Sequence, residues 1–286
     1  MRETAVTDLY TAPPPAAAGP GASPGLVSVE PVGAWTRYRA FVLGALGIAA
    51  LLAIWQLVAT LGIIDPLYTS SPARIVEAAP AVFGDDDFAH HIAVSAQEFL
   101  LGMLLVVVTG IPFGLLAGWY RGVRELTDPV VSALFATPIV ALVPILVLTL
   151  GIGVGSKVAF VYLLAVWPVV INTTAGIRDI DPGMIRMART FGAGDRRIFR
   201  TVALPASVPH IIAGLRNAVS RGIIAVVVGE LYGASAGIGY YLNQTGQIFQ
   251  TDRYYFAVVF LALVGVVLGL LLTALEARVS GWKVDR

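Results

Sequence analysis

The segment that comes nearest to a recognisable chemical device is Gly151-Ile152-Gly153-Val154-Gly155-Ser156-Lys157. A nucleotide-binding phosphate loop needs Gly directly before its Lys and a Ser or Thr directly after it, so that backbone N–H groups cradle the phosphates and the hydroxyl reaches Mg2+. Here Ser156 precedes Lys157, Val158 follows it, and no strand leads in. The glycines therefore read as a turn between two apolar runs. His90 and His91 have only Glu98 within reach along the chain and no further ligand at metal spacing, so they read as the polar start of an apolar segment. The absence of cysteine excludes disulfides, thiolate metal ligands and thiol nucleophiles. No catalytic residue and no metal site is assigned. Three charged side chains remain, Arg216, Arg221 and Glu230, in or at the end of an otherwise apolar stretch. At membrane depth an ionised side chain costs about 2.5 to 3.5 kcal/mol on insertion scales, so it faces a bundle interior or an aqueous cavity. Arg216 could also reach the headgroups along its methylene stem, and Glu230 could pair structurally or shape an outer opening.

These residues have to be carried by membrane-spanning helices. Of the 286 residues 57% are hydrophobic and 13% charged, with a mean hydropathy of +0.80, whereas soluble domains are about half apolar and about a quarter charged. A net charge of +1 provides no field for nucleic acid. Crossing the hydrocarbon takes about 20 helical residues, and six runs of that order stand out, at about 41–61, 99–119, 129–150, 158–177, 211–230 and 254–275. Pro112, Pro138, Pro144 and Pro168 are tolerable there because neighbouring helices re-satisfy the freed backbone groups.

Six spans place both chain ends on one side. Of the 19 Lys and Arg, only Arg74, Lys157 and Arg253 fall on the other side, together with Asp65, Glu77, Asp85, Asp86, Asp87 and Asp252. The basic side faces the cytoplasm, which makes both termini cytoplasmic. Residues 1–36, with Pro13-Pro14-Pro15 and an Ala/Gly/Ser/Pro-rich stretch, read as a disordered tail. They lack the basic stretch and short apolar core of a signal peptide.

The connection 178–205 reads as two short helices. Asp181 is the N-cap, Pro182 the first helical position and Gly192 the C-terminal stop. Met184, Met187, Ala188 and Phe191 recur at i, i+3, i+4 and i+7. At about 15 Å this helix is far too short to span, so its apolar stripe meets headgroups or another protein. The Met content favours a docking surface. A second helix is expected from Asp195 to a break at Leu204-Pro205.

The residues Ala188, Gly192, Val202, Leu204 and Pro205 align without a gap to the cytoplasmic signature of type I ATP-binding-cassette importer permeases. Arg186 and Met187 stand where that signature has Glu and Ala. Between Ala40 and Trp282 the chain resembles the nitrate, taurine and aliphatic-sulfonate branch of that family. The resemblance rests on Thr69-Ser70-Ser71-Pro72, Thr137-Pro138 through Gly151-Ile152-Gly153 and Ser156-Lys157, Asn172-Thr173, Gly214-Leu215-Arg216, and Glu230-Leu231 through Gly237-Ile238-Gly239-Tyr240, in that order and spacing. It implies an all-α membrane protein of six transmembrane helices, with Met184, Met187, Ala188, Phe191, Gly192, Leu204 and Pro205 in the ATPase-coupling region. Arg216, Arg221 and Glu230 become candidates for the solute path. It further implies a second permease copy, two ABC ATPase subunits that hold ATP and Mg, an extracytoplasmic solute-binding protein, and a home among the lipids of a prokaryotic cytoplasmic membrane. The solute would be small and anionic, and selectivity would lie largely with the external binding protein. The rival is a self-sufficient secondary transporter or channel, for which repeated halves and paired membrane carboxylates would be expected. No internal duplication is evident, and only Glu98 and Glu230 lie near spans.

Overall fold

The computed structural model describes residues 34–84 and 86–279, and all regular structure among them is helical. The tail assigned to residues 1–36 falls outside them as far as residue 33, and a helix already starts at Ala34. Two units are distinguished, residues 1–51 and 52–286. The described part of the first is the leading stretch of helix α1 (Ala34–Thr60), where Phe41, Leu43, Leu46, Ile48 and Leu51 are exposed, as a lipid-facing surface requires.

The second unit contains the end of α1 and the helices α2 (Pro72–Phe83), α3 (Asp86–Leu105), α4 (Ile111–Trp119), α5 (Arg121–Ala136), α6 (Val143–Leu150), α7 (Val154–Arg178), α8 (Pro182–Thr190), α9 (Asp195–Ile198), α10 (Leu204–Gly233), α11 (Ile238–Gln247) and α12 (Thr251–Val279). Five helices are long and apolar enough to span, and the bent pair α5 and α6 makes a sixth. That gives the six expected spans, with four boundary corrections.

The second span runs from Asp87, not Phe99, because His91, Ser95 and Glu98, one helical face of α3, turn inward and are buried. Hydropathy counts them as polar wherever they point. A wider π-turn at Val106–Gly110 joins α3 to α4 ahead of Pro112 and so spares the helix a sharp break. Arg121 and Arg124 belong to α5 rather than to a loop, with an exposed Arg121–Glu125 ion pair one turn apart. The third span is bent by 80° at Thr137-Pro138. The break expected at Leu204-Pro205 does not occur: α9, a π-turn at Phe199–Ala203 and α10 are continuous, with Pro205 in the first turn of α10, where an N–H is least needed.

Helices α2 and α11 were not anticipated as elements. Ser71 caps α2, and its neighbour Ser70, fully buried, donates to Asp252 at the head of α12 (2.6 Å). Arg74 pairs with the same carboxylate at 2.9 Å.

The middle of the unit is the packing of α7 against α10 and α4. Gly114 and Gly118, four residues apart on α4, allow that approach. A Cβ at Gly114 would lie 2.7 Å from the Thr173 Cβ, and one at Gly118 equally close to the Ile177 Cβ. Between spans such contacts replace the hydrophobic effect, which lipid removes.

Candidate functional site

Helix α8 is built as its end residues dictate. The Asp181 carboxylate accepts from the Gly183 N–H at 2.7 Å, Pro182 takes the first position, and Gly192 closes the helix at φ +75° with its N–H on the Arg189 carbonyl. The helix has two distinct faces. Ile185 packs on the cluster of Ile177, Ile180 and Ala203, which also takes in Trp119 and Phe199, and Ala188 is half-buried. Met184, Met187 and Phe191 point away, Phe191 with 84% of its surface exposed. Ala188 thus lies on the flank that holds the helix, not on the open stripe. Arg189 reaches Asp195 on α9 at 3.2 Å. α9, which Arg189 of α8 meets, continues into α10 past the exposed Leu204 and Pro205.

The two arginines of α10 differ in their surroundings. Arg216 is ion-paired with Glu276 of α12, which neutralises its charge. Arg221 is half-buried and makes no ion pair among the described residues. Its guanidinium lies 4.9 Å from the centre of the Phe135 ring.

Glu230 is 1% exposed and serves the chain reversal between α10 and α11. Its carboxyl accepts from the Ser95 hydroxyl and from the Gly239 N–H, both at 2.5 Å. Ser95 in turn accepts from the Ile238 N–H, and His91 Nδ1 accepts from the Gly237 N–H. The start of α11 is therefore capped by groups on α3 and α10 in place of a local cap residue, and a carboxylate favours that positive helix end. Lys157, 1% exposed, donates from Nζ to the Gly233 carbonyl at the end of α10. Cation and carboxylate thus sit on the two helix ends that each suits, within electrostatic reach of one another. Glu98, 2% exposed, adjoins Glu230 and has Oε2 without a partner. Gly237 takes φ +118°, and a Cβ there would run into the Glu230 carboxyl.

Along the chain Lys157 reads as a loop residue on the less basic side and Glu98 as a lone carboxylate near a span, and nothing there joins either to Ser95 or Glu230. A signal was present: His91, Ser95 and Glu98 follow a spacing of four and three, one face of a helix. Phe135 was missed because nothing in its neighbourhood marks it. The structure does not bring the sequence-assigned residues to one place. Met184 to Pro205 form the α8 to α9 connection into the start of α10, Arg216 and Arg221 lie further along α10, and Glu230 lies near its far end.

Residues 110–281 match the family model described as "Binding-protein-dependent transport system inner membrane component". The chain is 32% identical over 253 residues to the taurine transport system permease protein TauC of Escherichia coli (strain K12), covering 87% of this chain and 92% of that protein. To the putative aliphatic sulfonates transport permease protein SsuC of Bacillus subtilis (strain 168) it is 30% identical over 235 residues, 82% of this chain and 85% of the relative. Among solved structures, the inward-facing MetNI methionine ABC transporter superposes with a TM-score of 0.59 at 18% identity, over 67% of this chain and 95% of that one.

Proposed function

The chain belongs to the family of binding-protein-dependent transport system inner membrane components, and from that premise we propose the assembly in which it works and the solute it passes. It is a multi-pass permease subunit of an ABC transporter. In the proposed assembly two copies form the membrane unit, two ATPase subunits bind beneath them and hold ATP and Mg, and an external binding protein delivers the solute. Both termini and the α8 to α9 region face the cytoplasm, as the arginine distribution supports. The solute is a small anion of the sulfonate kind, a class supported by the names of the relatives.

The observation that carries the coupling role is the open stripe of Met184, Met187 and Phe191, on a short helix whose other flank is fastened to the bundle. An apolar stripe held rigidly in that way suits insertion into a groove on another protein. Closure of the ATPase pair would pull on the docked α8 helices, and the continuous α9 to α10 segment would carry the motion into the spans.

Affinity-tagged permease, expressed with the ATPase and binding protein of the same system, should retain the ATPase through purification. Its hydrolysis should rise when the loaded binding protein is added. A permease that purifies without the ATPase and still moves solute in its absence would establish the secondary-transporter reading instead. The orientation has its own test, since the chain has no cysteine. A cysteine placed by Arg196→Cys should react with a membrane-impermeant thiol reagent only after the cells are opened. Labelling in intact cells would reverse the topology.

A further inference from the structure

Arg221 lies twelve residues before the end of α10, about 18 Å from its outer end at about 1.5 Å per residue, and so at membrane depth. Its contact with Phe135 attracts the cation but does not cancel its charge. A charge held there without a carboxylate partner among the described residues belongs in a bundle interior or beside an aqueous cavity. Around it on α10, at spacings of four, one and three, are Asn217, Ser220 and Ile224, all exposed on the protomer surface. A second feature converges on the same spot. Phe135 is in the last turn of α5, directly before Thr137-Pro138, where the span bends by 80° and both residues are exposed. Non-helical backbone at membrane depth is tolerated only inside protein or along a water-filled cavity.

We propose that Arg221, with Asn217 and Ser220 beside it, is an anion-binding station on the solute path, taking small organic sulfonates. The proposal rests on the permease reading above and names the residue that sets the sign of the solute. The guanidinium presents a planar fork of N–H donors suited to the oxygens of a sulfonate. Phe135 holds the guanidinium carbon 4.9 Å from its ring centre and accepts none of its N–H donors as an ion pair would. Asn217 offers an amide within one turn, and the Ser220 hydroxyl, which here donates to the Arg216 carbonyl at 3.3 Å, can rotate towards an anion. Arg216 does not share the role, because Glu276 already neutralises it. The station lies on an open face rather than in a closed pocket, as transport demands, since a solute bound too firmly would not leave.

The test uses the cysteine-free chain in membranes, assembled with its ATPase and binding protein. Ser220→Cys is reacted during turnover with two thiol reagents of similar size, the anionic 2-sulfonatoethyl methanethiosulfonate and the cationic 2-(trimethylammonium)ethyl methanethiosulfonate. The anionic probe is itself an ethanesulfonate. Its rate relative to the cationic probe should fall about tenfold or more when Arg221→Gln is added, while Arg221→Lys retains most of the preference and Arg216→Gln leaves it unchanged. Asn217→Cys provides a second reporting position should Ser220→Cys fail to assemble. A rate ratio that Arg221→Gln does not move, or a cysteine at both positions that reacts with neither probe, overturns the station. ATPase retention is scored in the same membranes. Its loss with normal labelling counts against the permease assembly, whereas normal retention with an unmoved ratio counts against the station alone.

Discussion

Replacing Phe191 by Asp is expected to abolish retention of the ATPase while leaving membrane insertion and the helical bundle intact. Phe191 is 84% exposed, so the folded permease loses no internal packing with the substitution. Docked, the same position would place a carboxylate in an apolar contact without a partner, and burying an unpaired charge is strongly unfavourable. Loss of a central aromatic anchor commonly weakens an interface by about 2 to 4 kcal/mol, or about 30- to 1000-fold in affinity. Transport should fall with association. Gly192→Val should act differently. Gly192 holds φ +75°, where a branched side chain costs about 1 to 3 kcal/mol, and a Cβ there would meet no neighbouring atom. Its effect is therefore to misaim α8, and the expected result is partial ATPase retention with poorer stimulation by the loaded binding protein. Wild-type association and transport by the Phe191→Asp variant would show that α8 is a membrane-surface element and not a docking one.

Removing the ammonium of Lys157 should have the largest effect on stability. Lys157→Met keeps much of the side-chain length but leaves Glu98 and Glu230 buried together without a cation, and it leaves the Gly233 carbonyl without its donor. Breaking a buried charge arrangement from one side costs about 3 to 5 kcal/mol. Glu98→Gln, added to Lys157→Met, should recover part of the loss, because it removes a carboxyl that already has an unpartnered oxygen. Glu230→Gln alone should cost less than Lys157→Met, because the amide oxygen can still accept from the Gly239 N–H while the amide NH2 faces the Ser95 hydroxyl, which can rotate to accept from it. Thermal unfolding of the detergent-solubilised protein measures all three. A midpoint unchanged by Lys157→Met would mean that the two helix ends are held without it. The arrangement also bears on Glu230 as a path residue. Its carboxyl is engaged on the chain reversal, so in this conformation it holds the start of α11 and does not offer a free charge to a solute.

What could be read directly from the sequence was whatever depends on neighbours along the chain. Six spans followed from hydropathy, since lipid acts on each twenty-residue stretch by itself. The ends of α8 followed from Asp181-Pro182 and Gly192, because capping and positive φ are settled within one turn. Its apolar stripe followed from helical spacing, apart from Ala188, which shares the spacing but is half-buried. Boundaries slipped where polar residues face inward, as His91, Ser95 and Glu98 do. They slipped again at Pro205, which follows a π-turn, because a shift in backbone hydrogen bonding by one residue leaves no composition mark.

Only the tertiary structure distinguished Arg216 from Arg221. The two have the same side chain five residues apart on one helix, and the difference is Glu276, sixty positions away from Arg216. The same holds for Ser95, Lys157 and Glu230, which come from three helices and meet only because α10 reverses into α11 beside α3 and α7. Membrane insertion and helix capping are local free energies, so a linear chain displays them. The partner of a charge depends on which surfaces are brought together, and that is decided by the packing of the whole bundle.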